Sequence, residues 1–178
     1  MKILDATAGS RSIWYQPKHP LVTFMDKRRE CYKDPRHDRY FVHRIEPDVV
    51  SEWKDCPFPD NHFDMVVFDP PHLIRKKGTK EIHLVKKYGE LYEEDYKQVI
   101  SEGLQELFRV LKPNGVFILK WAECSKKVDE ILKLFPYPPL FGTRTGQKNN
   151  NHWIVFLKYD VNMKLDELIT KVKSKGGE

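Results

Sequence analysis

The chain has 178 residues, 40% hydrophobic and 32% charged, with a formal charge of +5 and a pI of about 9.0. That length holds one domain with a real core, and the composition is that of a soluble globular protein. No apolar run approaches the ~20 residues that span a bilayer, no secretory signal pattern opens the chain, and Cys31, Cys56 and Cys124 lack metal-ligand spacing. The thiols therefore read as reduced, in a cytoplasmic protein without a bound metal. The mild positive charge favours polyanionic partners but does not by itself name nucleic acid.

Residues 2–5 predict a strand, followed by the small, turn-forming run Ala6-Thr7-Ala8-Gly9-Ser10. Gly9 there can take a positive φ or admit a ligand close to the backbone. Residues 12–15 leave room for little more than one helical turn before Pro17 and Pro20. Residues 21–26 predict a second strand, again ending in an acid. The separation of Asp5 from Asp26 matches the ~20 residues between a Gly-rich turn and a ribose-binding acid in nucleotide-binding βαβ units. Taken singly, such an acid is more often a strand-end cap.

Residues 27–38 are charged and irregular, residues 39–45 predict a third strand, and Asp48 stands beyond it. Pro57-Phe58-Pro59-Asp60-Asn61 makes a tight approach to Phe63-Asp64-Met65-Val66-Val67-Phe68-Asp69-Pro70-Pro71-His72. Met65 to Phe68 are apolar on both faces, as a central parallel strand requires. Proline cannot donate to a sheet ladder, so this strand ends near Asp69, and each proline pushes the residue before it into an extended conformation. A stiff turn results, holding the Asp69 carboxylate, backbone carbonyls and the His72 ring at the edge where open α/β sheets bind ligands. The alternative is a strand that merely ends in Pro-Pro, with Asp69 capping the turn.

Residues 72–91 form a long connection without periodicity, carrying Arg75, Lys76, Lys77, Lys80, Lys86 and Lys87 against Glu81 and Glu90. A connection that long is usually functional or disordered; a solvated loop is the other reading. Tyr96, Val99, Ile100, Gly103, Leu104, Leu107, Phe108 and Leu111 recur at helical spacing, with Glu93, Glu94 and Asp95 at the positive dipole end. Residues 112–115 predict a turn, and Val116-Phe117-Ile118-Leu119 a buried strand ending in Lys120-Trp121. Ser125 is a candidate cap for a helix with Val128, Ile131, Leu132 and Phe135 on one side. Residues 140–144 and 153–159 predict two strands whose short joint makes them antiparallel. Leu165, Leu168, Ile169 and Val172 predict a last amphipathic helix. The chain thus divides into a domain over residues 1–160 and a helix with a frayed basic tail over 161–178.

Strands alternating with helices and closed by an antiparallel hairpin resemble the class I S-adenosylmethionine-dependent methyltransferase fold, over residues 2–159. That is an α/β fold, a Rossmann-like, mostly parallel sheet with helices on both faces. Residues 5–12 are similar to the family's first motif, which implies that Asp5, Ala6, Thr7, Ala8, Gly9, Ser10 and Arg11 hold S-adenosyl-L-methionine. Arg11 stands where the motif often has another glycine, and either pairs with the cofactor carboxylate or narrows the pocket. Asp26 matches the ribose-binding acid after the second strand, and Asp48 the acid after the third, near the adenine. Residues 57–64 and 111–115 are similar to the runs before the fourth and fifth strands.

Asp69-Pro70-Pro71-His72 resembles the Asp/Asn/Ser-Pro-Pro-aromatic motif of enzymes that methylate exocyclic amino groups of nucleic-acid bases. The resemblance implies that these four residues are catalytic, with Asp69 also against the cofactor, and that adenine N6 in DNA or RNA is the first target to expect. An exocyclic amine is a poor nucleophile because its lone pair is delocalised into the ring. Two acceptors on its N–H groups, Asp69 and the Pro70 carbonyl, can draw the nitrogen towards tetrahedral geometry, and positioning supplies much of the acceleration. His72 either stacks on the base or takes the proton once the methyl has moved. Arg75, Lys76, Lys77, Lys80, Trp121, Gln147, Lys148 and Asn149 are the expected substrate contacts. Without an evident target-recognition domain, sequence readout falls to a partner subunit, a second copy of the chain or the substrate's own shape. Two other readings are a methyltransferase for a small molecule or protein side chain, and a cofactor-binding accessory subunit without catalysis. Asp69 argues against the last, because loss of activity would more often leave a non-acceptor there.

Overall fold

The protein is described from a computed structural model over residues 1–33, 42–80, 83–143 and 150–159. Along the chain lie β1 (Ile3–Asp5), β2 (Val22–Asp26), β3 (Glu30–Lys33), β4 (Val42–Ile45), β5 (Val49–Val50), β6 (Phe63–Phe68), β7 (Ile74–Arg75), α1 (His83–Tyr88), β8 (Leu91–Tyr92), α2 (Tyr96–Val110), β9 (Leu111–Ala122), α3 (Val128–Leu132), β10 (Phe141–Gly142) and β11 (Asn151–Leu157). A seven-stranded sheet runs β10-β11-β9-β6-β1-β2-β5. It is parallel from β9 to β5, and β11 and β10 add antiparallel strands at one edge.

The proline-stopped strand β6 lies between β9 and β1 in the middle of this sheet, which is why it is apolar on both faces. Val66 and Phe68 join Leu4, Met25, Leu119 and Trp121 in the main core, under Ile100, Leu104 and Leu107 of α2 and Ile131 of α3. Val67 faces the other way, into a smaller cluster with Ile3, Val22 and Phe24. There the turn between β1 and β2 takes the place of a helix. Its Ile13 and Trp14 pack on the cluster, and Pro17 and Pro20 leave no room for more than a helical turn.

The third strand differs from the expectation. β5 occupies the position beside β2, whereas β4 pairs antiparallel with β3 in a separate two-stranded ribbon. The ribbon carries a stacked Tyr32–His43 pair at 5.1 Å. β3 is mostly exposed and charged, so it shows no buried alternation from which a strand is read. The long connection after β6 is also folded: β7 and β8 pair in parallel around α1, anchored by buried Ile74 and Leu91. Ser125, expected to cap α3, instead accepts the Ile74 N–H at 3.0 Å, and Glu123 Oε1 takes the Val128 N–H at 3.0 Å.

The expected 112–115 turn lies inside β9, with Pro113 and Asn114 exposed and Gly115 buried. Residues 39–41, residues 144–149 of the predicted hairpin and the predicted C-terminal helix lie outside the described residues. Among the described residues, no helix is long and apolar enough to cross a membrane.

Candidate functional site

Parallel strands end on one edge of the sheet, and β1, β2, β5, β6 and β9 bring their last residues together there. The β6 end is the best defined. The Asp69 N–H is taken by Thr7 Oγ1 at 2.7 Å, which ties the proline turn to the first turn. Lys120, one residue beyond the Phe68–Leu119 register pair, places its Nζ 3.0 and 2.8 Å from the two Asp69 oxygens. His72 Nε2 lies 2.8 Å from Asp69 Oδ1. The His72 ring stands edge-on to Trp121 at 5.0 Å, and its Nδ1 is buried without a hydrogen-bond partner among the described residues. The ring is thus clamped on the acid rather than presented as a free stacking surface.

Asp5 ends β1 beside it and is buried. It accepts the Thr7 N–H at 3.1 Å and the Trp14 indole N–H at 2.6 Å. Burial pushes its carboxyl up to about 7, against the lowering effect of those two hydrogen bonds. Asp26 ends β2. Its Oδ2 takes the N–H of Gly9, which sits at φ 48°, at 2.8 Å, and its Oδ1 takes the Arg28 N–H and Nε at 2.9 and 3.2 Å. A carboxylate oxygen accepts two hydrogen bonds, so Oδ2 keeps one acceptor site.

Two cavities of about 210 and 290 Å³ meet at Thr7 and Asp69. The first is lined by Ala6, Asp26, Arg28, Ser51, Glu52, Trp53 and Pro71 among others. Trp53 reaches it because Gly103 of α2 has no side chain; a Cβ there would lie 2.4 Å from the indole Cδ1. The second is lined by Ala8, Ser10, Pro70, His72, Lys87 and Lys120. α1 closes over both. Tyr88 lines each of them, Arg28 Nη1 donates to the Lys86 carbonyl at 3.0 Å, and Gly89, at φ 74°, packs on Pro71 where a Cβ would come within 3.1 Å of Cγ.

Several expected site residues lie elsewhere. Asp48 precedes the third sheet strand rather than following it, because β4 left the sheet; its Oδ2 accepts the Phe24 N–H at 2.9 Å and it lines neither cavity. Ser51, Glu52 and Trp53 follow β5 into the cleft instead. Arg11 turns away over the Phe24 ring at 4.0 Å and donates to Pro17 O, Glu46 O and Asp48 Oδ1. Its backbone is left-handed, φ 58°, the conformation that favours a glycine. Trp121 is fully buried behind His72, its indole N–H on the Lys126 carbonyl at 3.0 Å, so it cannot meet a substrate directly.

Two of the basic residues of the long connection are engaged by acids. Arg75 pairs with Glu90 at 2.9 Å and also donates to the Lys80 carbonyl, and Lys77 pairs with Asp95 at 2.8 Å. Lys76 and Lys80 are exposed, and none of the four lines either cavity. Gln147, Lys148 and Asn149 lie outside the described residues. Among the described residues, no group of three His, Cys, Asp or Glu side chains could hold a metal ion.

No protein-family model matches the chain, and no curated protein is found to match it. Solved structures do. One is an S-adenosylmethionine-dependent methyltransferase from Methanosarcina mazei, 16% identical with a TM-score of 0.51, the match covering 89% of this chain and 92% of that one. The fold is that of the class I S-adenosylmethionine-dependent methyltransferases. A second neighbour with this fold is the 1,6-didemethyltoxoflavin-N1-methyltransferase of Burkholderia thailandensis, crystallised with 1,6-didemethyltoxoflavin and S-adenosylhomocysteine (14% identity, TM-score 0.51, 89% and 71% covered). A third is a chain of the Haloferax volcanii complex between the Trm112 methyltransferase activator and a putative methyltransferase (12%, 0.52, 89% and 83%). On this methyltransferase fold, the residues that sequence reasoning missed are Arg28, Ser51, Trp53, Tyr88 and Lys120. Lys120 had a signal, a charge closing a buried strand, but its partner is 51 residues away.

Proposed function

We propose that the protein is an S-adenosylmethionine-dependent methyltransferase acting on an exocyclic amino group of a nucleic-acid base, with adenine N6 the first candidate. The observation that carries this reading is the position of Asp69, on a rigid Pro-Pro turn where the two cavities meet. The residues present fit the cofactor. Asp26 keeps an acceptor for a ribose hydroxyl, Trp53 offers an aromatic surface for adenine, and the first turn, Ala6 to Ser10, lies between the two cavities. The cofactor would supply an electrophilic methyl carbon. Asp69 and the Pro70 carbonyl accept the two N–H groups of the target amine and orient its lone pair, a contribution of positioning. His72 donates its Nε2–H to Oδ1 and so fixes that carboxylate, which itself accepts the proton the amine loses once the methyl has moved.

One observation favours a second reading, a small nitrogen heterocycle as substrate. Arg75 and Lys77 are engaged by Glu90 and Asp95 rather than free for phosphates. The deciding experiment incubates the protein with methyl-labelled cofactor and separates DNA, RNA and metabolite pools. Label on N6 of adenine in a polymer supports the first reading, and label confined to metabolites the second. Cofactor binding without transfer to any pool would remove the enzyme assignment and leave an accessory subunit.

A further inference from the structure

We infer that Lys120 is a positioning residue for methyl transfer, orienting the Asp69 carboxylate so that one acceptor site faces the incoming amine. This rests on the amino-methyltransferase reading. β6 and β9 are parallel neighbours, and the Phe68–Leu119 register brings Asp69 and Lys120 side by side on the same face. The ammonium touches both carboxylate oxygens, at 3.0 and 2.8 Å, and His72 Nε2 takes Oδ1 from the other side at 2.8 Å. Counting acceptor sites decides which oxygen is open. Each oxygen accepts two hydrogen bonds, so Oδ1 is filled by Lys120 and His72, whereas Oδ2 holds Lys120 and has one site left.

The target amine therefore meets Oδ2. The backbone end of Asp69 is held by Thr7 Oγ1 and by the two prolines after it; Lys120 and His72 remove the remaining freedom of the side chain. Lys120 is 22% exposed, lines the cavity and bonds no other acceptor among the described residues, so its ammonium is committed to this one carboxylate. The groups around Asp69 are then Lys120 from β9, His72 on its own turn, buried Asp5 at the end of β1, Thr7 in the turn after it, and Arg28 across the cleft.

The test uses the full chain and compares wild type, Lys120→Met and Lys120→Arg by single-turnover methyl transfer to whichever pool takes label, with S-adenosylhomocysteine calorimetry and thermal melting alongside. Lys120→Met should slow transfer about 10- to 100-fold, as loss of orientation does, with S-adenosylhomocysteine affinity within about threefold of wild type. Lys120→Arg should recover much of the rate, because a guanidinium fork also engages both carboxylate oxygens. A merely structural ion pair would move the melting temperature and leave the rate of the folded protein unchanged, and that result overturns the inference, as does a fall in S-adenosylhomocysteine affinity with the rate intact. Failure of wild type on every pool would instead overturn the reading on which it rests.

Discussion

Asp5 and Asp69 close adjacent parallel strands, and they show how one residue type takes two roles on neighbouring strand ends. Asp5 is buried, bonded to an indole and a backbone N–H, and its carboxyl is held up to about 7 by burial. Asp69 is partly exposed and carries a lysine and a histidine at its oxygens. Burial makes Asp5 a strut of the first turn. Charge partners and access make Asp69 the group that can handle a substrate. The difference does not come from the strands, which are alike, but from the turns that leave them. A small-residue turn folds Trp14 back over Asp5 and buries it, whereas the Pro-Pro turn returns the His72 ring to Asp69 and leaves the carboxylate partly exposed.

The largest effect expected from breaking this contrast is on turnover. Asp69→Ala should lower single-turnover methyl transfer by about 10²–10³-fold or more, the scale of removing one preorganised transition-state contact, while S-adenosylhomocysteine binding in calorimetry stays close to wild type. If the variant turns over every amine substrate at the wild-type rate, Asp69 is a cap and not a catalytic residue.

Asp5 should show itself in stability instead. Its folded pKa lies above the unfolded value of 3.8, so the folded state binds the extra proton between about pH 4 and 7. The associated stability is fully present below about pH 4 and is lost as pH rises to about 7, by up to ~4 kcal/mol. Asp5→Asn removes this term. In urea unfolding from pH 4 to 8, the variant should gain on wild type up to about pH 7 and run parallel above it. A constant difference across that range would mean that Asp5 does not titrate there.

A third strand-end acid sharpens the comparison. Asp26 is nearly as buried as Asp5 but lines the cleft as Asp69 does. Asp26→Ala should weaken S-adenosylhomocysteine binding by about 1.5–3 kcal/mol, the range for a hydrogen bond to a charged group, and unchanged calorimetric affinity would take it out of the site. The smallest effect is expected at the indole that distinguishes Asp5. Trp14→Phe keeps the edge-on contact with Phe24 but loses the donor to Asp5, costing about 1 kcal/mol of stability; chemical denaturation at pH 6 measures it, and no loss would show that the hydrogen bond is not needed.

What the sequence by itself determined is local. Continuous apolar runs marked the buried strands, prolines marked where β6 stops and why no helix comes after β1, and helical spacing located α2. Strand-end acids identified Asp5, Asp26 and Asp69 as residues of one edge, because parallel strands deliver their last residues to the same side. What only the tertiary structure decided is everything set by register and by which segment joins the sheet. β5, two residues long, displaced the expected third strand, so Asp48 fell outside the cleft and Trp53 came in. The left-handed turn at Arg11 aimed its guanidinium at Glu46 and Asp48. The Phe68–Leu119 register set Lys120 on Asp69. Each of these depends on contacts between residues far apart in the chain, whose pairing is chosen by the packing of the whole core and leaves no periodic trace in the local pattern.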